Sequence, residues 1–413
     1  MKAVIMAGGR GTRISSVASD IPKPMISIDS RPVLEHEIIC LKEQGFTDLI
    51  ITVSYMADKI MEYFGNGSSW KVNIQYFVEE KPLGNAGALY ELGLSEDFLL
   101  INADSIFNID INRFVNYHKY NNGLATILTH PNSHPFDSGL IFATEGHVVE
   151  KWLGKHDDRP QWYKNRVNAG IHILSPKLLE KRPEKEKIDL DSDILKPLAG
   201  TGRLICYDSP EYIKDMGTPE RYQQVCIDFK NGIPQKKCLK EKQKAIFLDR
   251  DGTINKYVGF LRNIDDFELL PNVSEAIRMI NQSEYLAIVV TNQPVIARGE
   301  VTYEELNMIH RKMDTLLGKH GAYIDGLYFC PHHPDKGYVG EISELKIRCS
   351  CRKPGSGMLL AAANDFNIDL SKSWIIGDSD NDIKAGENAG CNTMKIDTNG
   401  SIFNCVERII NGQ

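Results

Sequence analysis

Several features are scarce or missing in this sequence of 413 residues, and each shortage excludes a class of protein. The formal net charge is −7, so the chain has no excess of basic residues. Because a nucleic-acid backbone is bound by a concentrated positive surface, this balance argues against nucleic acid as a partner. No apolar run reaches the roughly 20 residues that span a bilayer, so we expect no membrane partner. The run KAVIM near the N-terminus is too short for a signal-peptide core, and we expect a cytoplasmic protein.

A disulfide framework is missing as well. The nine cysteines are an odd number, and most of them stand alone in the sequence. Secreted, disulfide-stabilised domains show regularly spaced pairs instead. We therefore expect most of these cysteines to be small buried side chains. Residues 330–354 are different, because three cysteines and two histidines crowd this segment.

The length and the alternation of short runs predict two α/β domains. Apolar, strand-like runs such as 49–53 and 98–102 alternate with amphipathic stretches, which is typical of mostly parallel sheets. Residues 233–243 are polar and lysine-rich, and they favour a solvated linker over a binding patch. We predict an N-terminal domain over 1–232 and a C-terminal domain over 244–413.

Helix boundaries can also be predicted. Glycines at positions 45 and 65 follow amphipathic stretches, where glycine is the usual helix stop. Residues 301–321 predict a long helix with Thr302 and Glu305 as a capping box and Gly321 as its end.

The first strand runs into a glycine loop, AGGRGTR (7–13). The loop lacks the lysine of a P-loop and the third glycine of the dinucleotide fingerprint. Its backbone N–H groups could still surround phosphates at a strand end. Arg13 adds positive charge, and Lys23 lies between two prolines that fix the backbone. Asp104 and Asp215, each also readable as a turn or cap residue, could together hold one Mg²⁺.

Six motifs over residues 1 to about 230 resemble, in order, those of the sugar-1-phosphate nucleotidyltransferases: GGRGTR, PKPM, EEKPLGNAGAL, NADSIF, NAGIHILSP and DMGTPERY. The resemblance implies a Rossmann-like sheet. It also implies an in-line attack by a sugar 1-phosphate oxygen on the α-phosphorus of an NTP, with release of pyrophosphate. The stretch RGTRISSVASDIPKPM resembles the heptose-1-phosphate guanylyltransferases in particular, which favours GTP.

This resemblance assigns a role to each matched position. Arg13 and Lys23 neutralise developing charge, and Asp104 and Asp215 bind Mg²⁺. The remaining positions bind nucleotide (Gly8, Gly9, Gly11, Thr12, Glu80, Gly84 and Gly87) or the acceptor sugar phosphate (Glu150, Lys151 and Asn168). Asn85 departs from the threonine that is common in the family, which bears on substrate choice.

The second domain opens with FLDRDGTIN (247–255), which sets Asp249 and Asp251 at the end of a strand. Their i, i+2 spacing points both carboxylates to one side, so one could be a nucleophile and Mg²⁺ ligand and the other a proton carrier. An EF-hand is excluded because its further ligands do not follow. Thr291 ends a later strand with a hydroxyl suited to a phosphate oxygen.

The order DxDGT, Thr291, Lys353 and GDSDND over residues 244 to 410 resembles the haloacid dehalogenase-like (HAD-like) phosphatases. The resemblance implies a Rossmannoid sheet, attack on phosphorus by Asp249, and proton transfer by Asp251. It implies Mg²⁺ on Asp249, the carbonyl of Asp251 and Asp378, with Lys353 as a catalytic cation and Asn292 and Arg352 at the substrate. The motifs TNQPVIARG, CPHHP and CSCRKP resemble heptose bisphosphate phosphatases, with histidinol phosphatases as relatives.

The crowded segment fits a metal site. Cys330, His332, Cys349 and Cys351 form C-x-H…C-x-C, a set suited to tetrahedral zinc, with reduced buried thiols as the alternative. His333 is the fallback ligand. Four protein ligands would make the zinc structural, because no coordination position stays open.

Together the resemblances imply a bifunctional enzyme of GDP-heptose biosynthesis. It would remove the C7 phosphate of D-glycero-D-manno-heptose 1,7-bisphosphate and then transfer GMP to heptose 1-phosphate. The alternative enzyme joins a mannose- or glucose-1-phosphate nucleotidyltransferase to a histidinol-phosphatase-like domain. A non-enzymatic sensor or scaffold would be free to lose Lys23, Asp249 or Asp251, and all three are present. The base, the anomer and the oligomeric state stay open, with a homo-oligomer among the options.

Overall fold

The computed structural model describes residues 1–8, 21–103 and 105–412, and it divides the chain into two compact units. The first comprises Met1–His130, Gly139–Gly154 and Asn168–Cys238, and the second comprises Pro131–Ser138, Lys155–Val167 and Leu239–Gln413. Two segments that we had assigned to the N-terminal domain therefore group with the C-terminal part of the chain. Our domain boundaries stay a prediction.

The first unit is built on a mixed sheet with strand order β10-β9-β11-β6-β1-β4-β5. Two further strands belong to this sheet, since β8 pairs with β11 and β12 pairs with β8. Its strands are β1 Ala3–Met6, β2 Ser27–Ile28, β3 Arg31–Pro32, β4 Asp48–Val53, β5 Asn73–Val78, β6 Phe98–Asn102, β7 Ser105–Asn108, β8 Ala125–His130, β9 Leu140–Ala143, β10 Val149–Leu153, β11 Val167–Leu174, β12 Leu204–Asp208 and β13 Tyr212–Asp215. Its helices are α1 Val33–Glu43, α2 Ala57–Phe64, α3 Ile111–Asn121, α4 Pro219–Lys230 and α5 Ile233–Lys236.

The centre of this sheet brings loop segments to one edge. β1 pairs in parallel with β4 and β6, and Met6 lies opposite both Thr52 and Asn102. These strands are buried on both faces, which explains their continuous apolar sequence. Residues 7–8, which follow β1, and residue 103, which follows β6, therefore leave the sheet at the same edge, the edge where doubly wound folds bind ligands.

The second unit has a five-stranded parallel sheet with the order β16-β15-β14-β17-β18. Its strands are β14 Lys244–Leu248, β15 Tyr285–Asn292, β16 Gly326–Cys330, β17 Trp374–Gly377 and β18 Asn392–Lys395. Its helices are α6 Val273–Asn281, α7 Pro294–Ala297, α8 Tyr303–Lys319, α9 Gly357–Asp365, α10 Asp380–Ala389 and α11 Phe403–Ile410. The neighbouring strands β14, β15 and β17 end at Leu248, Asn292 and Gly377, so the residues that follow them meet at one edge.

The long predicted helix is present as α8 and begins as expected. Thr302 accepts a hydrogen bond from the Glu305 backbone, and the Glu305 carboxylate accepts one from the Thr302 backbone. Within the second unit, Thr315 of α8 accepts from the Tyr163 backbone at 2.8 Å, and Lys312 and Lys319 lie over the Trp162 ring. These contacts explain why residues 155–167 group with this unit.

The segment 233–243 is not the solvated tether that its composition suggested. It contains α5, and Lys237, Cys238 and Leu239 are each 4% exposed. Asn367 also donates hydrogen bonds to the carbonyls of Leu239 and Glu241. The prediction relied on the many lysines of this segment and overlooked three apolar side chains that are buried, Ile233, Cys238 and Leu239. In the described part of the chain, every helix is too short or too polar to cross a bilayer.

Candidate active sites

The C-terminal candidate site is centred on a buried ion pair. Asp249 follows β14, and its carboxylate lies 2.5 Å from the Nζ of Lys353, which also contacts Asp382 at 2.6 Å and donates to the Val290 carbonyl at 2.7 Å. Burial raises the pKa of Asp249, and the Lys353 ammonium opposes that rise. Burial alone would lower the pKa of Lys353, but the two carboxylates raise it, so Lys353 stays charged. The pair presents a carboxylate that is oriented by a fixed cation, as a nucleophilic role requires.

Asp251 lies beside Asp249 but has a different environment. Its carboxylate accepts hydrogen bonds from Arg250 at 2.8–3.1 Å, from Asn255 at 3.0 Å and from Gln293 at 2.8 Å. Burial would raise the pKa of Asp251, but Arg250 and these donors together hold it below its usual value. The two aspartates therefore differ as a nucleophile and a proton carrier should, since neighbouring carboxylates with separate tasks need separate environments.

Arg250 itself is fully buried and links Asp251 to helix α8. Its Nη1 donates to His310 Nε2 at 3.1 Å. Burial, with a further contribution from Arg250, lowers the pKa of His310 to about 3, so His310 is a neutral acceptor. We did not predict either residue. The only sequence signal was an arginine between two aspartates, which reads as a surface residue unless the strand end is known to be buried.

The other predicted phosphatase residues surround the same cavity, which has a volume of about 220 Å³. Thr291 accepts from Gln293 at 2.9 Å. Asn292 exchanges two hydrogen bonds of 3.0 Å with the Lys353 backbone, so this predicted substrate residue also fixes the position of Lys353. Arg352 lines the cavity and donates to the His332 carbonyl at 3.2 Å.

A magnesium ion fits this site through a partly different set of ligands. Asp249, Asp378 and Asp382 bring one carboxylate oxygen each to within 4.8 Å of one another. Gly252, with φ of +89°, passes so close to Asp378 that an added Cβ would lie 2.4 Å from its Oδ2. The carboxylate of Asp251 is not part of this group, and the use of the Asp251 carbonyl as a ligand stays a prediction. Asp382 is the member that we did not assign to the metal.

The predicted zinc ligands converge at the end of β16. The sulfurs of Cys330, Cys349 and Cys351 and Nδ1 of His332 approach one another to between 3.2 and 3.6 Å. Tetrahedral zinc with thiolate ligands at about 2.3 Å places donors about 3.8 Å apart, so the group fits the ion. The ring of His333 accepts instead from the Asp335 backbone and stays outside the cluster.

The N-terminal candidate site is described only in part. Gly9, Gly11, Thr12, Arg13 and Asp104 lie outside the described residues. Gly8 follows β1 near Ser54, and Lys23 is buried between its two prolines. Glu80 and Gly84 are exposed, whereas Gly87 is buried.

The loop 83–87 is held against residues 188–190. Gly84 has φ of +86°, and an added Cβ would lie 2.2 Å from the Ile188 carbonyl oxygen. The Asn85 side chain donates to Asp189 at 3.1 Å and accepts from the Leu190 backbone at 2.7 Å. Asn85, which we had linked to substrate choice, therefore fixes the loop.

The predicted acceptor-sugar residues lie on two strands. Glu150 and Lys151 are exposed residues of β10, at an irregularity in its pairing with β9. Asn168 is in β11, and its Oδ1 accepts from the Gly170 backbone at 3.1 Å and from His172 Nε2 at 3.0 Å. Both contacts fix the amide, so its Nδ2 donor points the other way. We did not predict His172.

Asp215 ends β13, where it lies opposite Ser105 in the strand pairing. This register brings Asp215 next to the segment that follows residue 104. The Asp215 carboxylate accepts two hydrogen bonds from Arg221, at 2.9 and 3.0 Å, and one from the Gly217 backbone. The role of Asp215 as a metal ligand stays a proposal.

Comparison with known proteins finds a different family for each of the two parts of the chain. Residues 2–231 match the nucleotidyl transferase family, and residues 350–401 match the HAD-hydrolase-like family. The chain belongs to the nucleotidyl transferase family. Its fold resembles that of a protein described as a glucose-1-phosphate thymidylyltransferase from Bacillus anthracis, at 22% identity and a TM-score of 0.50, covering 55% of this chain and 94% of that one.

The C-terminal part of this nucleotidyl transferase fusion also has curated relatives. It is 43% identical over 149 residues to the D-glycero-beta-D-manno-heptose-1,7-bisphosphate 7-phosphatase of Yersinia pestis, covering 36% of this chain and 77% of the relative. It is 41% identical over 152 residues to the D-glycero-alpha-D-manno-heptose-1,7-bisphosphate 7-phosphatase of Burkholderia mallei, covering 37% and 78%. The chain is thus a nucleotidyl transferase joined to a HAD-like phosphatase, as its motifs predicted.

Proposed function

We propose that this chain catalyses two steps of heptose nucleotide synthesis. The C-terminal domain would hydrolyse the C7 phosphate of D-glycero-D-manno-heptose 1,7-bisphosphate. The N-terminal domain would then transfer GMP from GTP to the heptose 1-phosphate, giving GDP-heptose and pyrophosphate. The observation that carries the proposal is the buried Asp249–Lys353 pair, in a domain at least 40% identical to 7-phosphatases of this bisphosphate.

In the first half of the phosphatase reaction, the Asp249 carboxylate attacks the C7 phosphorus. The bond between the phosphorus and the oxygen on C7 breaks, and this oxygen takes a proton from Asp251. For this step Asp251 must be protonated, and it must turn away from Arg250, which holds its ionised form. Lys353 keeps Asp249 oriented and balances charge on the transferring group.

In the second half, water attacks the phosphorus of the aspartyl phosphate. Asp251, now ionised, accepts the proton of this water, and Asp249 is released together with inorganic phosphate. Arg250, Asn255 and Gln293 favour this ionised form of Asp251. A Mg²⁺ held by Asp249, Asp378, Asp382 and the Asp251 carbonyl would supply charge stabilisation for the phosphoryl group.

In the N-terminal domain, the anomeric phosphate oxygen of the sugar attacks the α-phosphorus of the NTP, and pyrophosphate leaves. Arg13 and Lys23, which lies between two prolines, would balance the developing charge. Asn168 would hold the sugar phosphate. Asp104 and Asp215 would bind the Mg²⁺ that neutralises the nucleotide phosphates.

The two reactions are compatible only if the phosphatase spares the anomeric phosphate. That phosphate supplies the attacking oxygen in the N-terminal domain, so its hydrolysis would destroy the substrate of the second reaction. Without NTP, ³¹P NMR should therefore show a product that keeps its phosphate on C1. A product phosphorylated at C7 would refute the proposal.

The decisive test offers heptose 1,7-bisphosphate, in each anomer, with each NTP separately. Mass spectrometry should detect GDP-heptose with GTP, and much less sugar nucleotide with the other NTPs. The same assay with mannose 1-phosphate and glucose 1-phosphate tests the alternative enzyme. Preferred turnover of either hexose phosphate would replace our assignment.

A further inference from the structure

A group of basic side chains adjoins the phosphatase cavity, and the proposed reaction has not used most of it. The group contains Arg298, which follows α7, Lys346 and Arg352. Arg298 is 7% exposed and Lys346 is 4% exposed. Arg352 lines the cavity.

Arg298 is held between two aromatic rings. Its guanidinium carbon lies 3.9 Å from the centre of the Phe260 ring and 4.5 Å from that of Tyr338. Phe260 both lines the cavity and is 42% exposed, so it stands at the cavity mouth. The buried Nε of Arg298 has no hydrogen-bond partner. A buried guanidinium with an unmatched donor is costly unless an acceptor completes it.

Lys346 approaches the same tyrosine. Its Nζ lies 4.5 Å from the Tyr338 ring centre, and Glu341 is 3.6 Å away, beyond hydrogen-bond distance. Arg352 is connected to this group through adjacent residues, since it donates to the His332 carbonyl and the next ring, His333, packs against Tyr338.

Neighbouring negative charges balance only part of the charge of this group. Lys346 forms an ion pair with Glu341 at 3.6 Å, and a zinc ion with three thiolates would leave one negative charge near Arg352. No carboxylate among the described residues forms an ion pair with Arg298. A buried guanidinium with an unmatched Nε donor suits a phosphate, which arginine can bind through two parallel hydrogen bonds.

We propose that Arg298 and Lys346, together with Arg352, form a subsite for the second phosphate of the bisphosphate, the one that the phosphatase leaves on the sugar. This inference rests on the proposed function. The reacting phosphate lies against Asp249 on the cavity side of its contact with Lys353, and the spared phosphate occupies the mouth of the cavity next to Phe260. The subsite orients the substrate so that only C7 reaches Asp249. The anomeric phosphate is protected because it is bound elsewhere.

The test compares two substrates in the full-length, zinc-loaded protein. Heptose 1,7-bisphosphate carries the second phosphate, and p-nitrophenyl phosphate does not. Arg298→Gln and Lys346→Gln should each raise KM for the bisphosphate about 10- to 100-fold, since hydrogen bonds to charged groups are among the stronger ones. For p-nitrophenyl phosphate, kcat/KM should stay within about 2-fold, because the reacting groups are unchanged.

Arg262→Gln is the matched control. Arg262 lies over the same Phe260 ring at 5.9 Å, but it is exposed and already paired with Glu300 at 2.8 Å. It should leave both substrates unaffected. Arg298→Lys, which keeps the charge and loses the planar fork, should fall between wild type and Arg298→Gln for the bisphosphate alone.

The outcomes separate the subsite from the proposed function. Equal losses with both substrates, with a lower unfolding temperature, would show that Arg298 only packs against the rings and would overturn the subsite. An unchanged KM for the bisphosphate in both glutamine variants would overturn it as well. If the wild-type protein hydrolyses the bisphosphate no better than p-nitrophenyl phosphate, the proposed function fails, and the subsite fails with it.

Discussion

Asn168 and His172 show how one backbone position can bring together two side chains, here the group that we propose holds the sugar phosphate. Both lie in β11, four residues apart, and an extended strand would separate them by about 13 Å. Gly170, with φ of +75°, bends the strand between them, so their side chains meet at 3.0 Å. An L side chain at position 170 would strain the backbone and approach Asn102 to 3.0 Å.

Replacement of His172 should weaken binding of the sugar phosphate only. His172→Phe removes the donor that orients the Asn168 amide, and a hydrogen bond of this kind contributes on the order of 1 kcal/mol. We expect KM for the sugar 1-phosphate to rise about 5- to 10-fold and KM for the nucleotide to stay constant. His172→Gln places an amide donor near the same position and should restore most of the loss. A parallel rise in both KM values would mean that His172 supports the fold rather than Asn168.

The same histidine makes stability depend on pH. Burial lowers the pKa of His172 from 6.5 to about 3, so the folded protein keeps the ring neutral while the unfolded chain protonates it below pH 6.5. The unfolded state then binds more protons, and the free energy of unfolding falls as pH decreases from 6.5 towards 3. Between pH 7 and pH 5, His172 alone should account for about 2 kcal/mol. Urea unfolding at both pH values should show a smaller decrease for His172→Gln, and an equal decrease would contradict the assignment.

The candidate reacting residues could be named from the sequence, but the residues that hold them in place could not. Asp249, Asp251 and Lys353 could be found because their spacing forms a recognisable motif. Arg250, His310, Asp382 and His172 could not be assigned these contacts, since each depends on burial or on a bend in the chain. Asn292 was predicted as a substrate residue, whereas its observed contacts are with the Lys353 backbone.

At the scale of elements, helix α8 shows a sequence signal that acts locally. Thr302 and Glu305 satisfy each other's backbone donors at its first turn. Thr302→Ala should lower the free energy of unfolding of the second unit by about 1 kcal/mol, because free N–H groups at the helix start lose their acceptor. Thr302→Ser keeps the hydroxyl and should cost only a few tenths of a kcal/mol. Chemical unfolding that finds both variants equal would contradict the cap.

The cluster of Cys330, His332, Cys349 and Cys351, which we propose binds zinc, is connected to the cavity wall by a short chain of contacts. Arg352 and Lys353 follow Cys351 directly, and Arg352 also donates a hydrogen bond to the carbonyl of His332, a proposed zinc ligand. Cys349→Ser should therefore release zinc and lower phosphatase kcat/KM by about tenfold or more, as ligand loss does at structural sites. Nucleotidyl transfer should be unchanged. Zinc content by mass spectrometry, with Cys405→Ser as the control, checks the result, and full activity in a zinc-free protein would refute the role.

Strand positions were the most predictable elements. The runs predicted at 49–53 and 98–102 correspond to β4 and β6, since buried parallel strands are continuous apolar stretches. The lysine-rich segment 233–243 was misread because composition averages over residues, while only a few buried side chains decide whether a segment packs. Residues 131–138 and 155–167 carry no signal for their grouping, which depends on contacts such as Thr315 with Tyr163.

At the scale of the whole molecule, the two chemistries make opposite demands on the same sugar. One domain must remove a phosphate monoester, and the other needs a phosphate monoester intact as its nucleophile. The conflict disappears if each domain recognises a different end of the substrate. Fusion in one chain then supplies both activities in equal amounts, without requiring any coupling between their reactive groups.

The final prediction is that each activity can be removed alone. Asp249→Asn should abolish phosphate release, because the amide cannot attack phosphorus, and should leave the transfer of GMP to added heptose 1-phosphate within about 2-fold of wild type. Lys23→Ala should lower nucleotidyl transfer by about 10²-fold or more, the usual cost of losing a charge-stabilising group, and should leave phosphate release unchanged. A phosphate-release assay and a pyrophosphate assay on the same samples measure both activities, and thermal unfolding checks that each variant is folded.

An equimolar mixture of the two variants should restore GDP-heptose synthesis from the bisphosphate, since the intermediate can diffuse from one molecule to the other. Loss of both activities in either folded variant would contradict two independent sites.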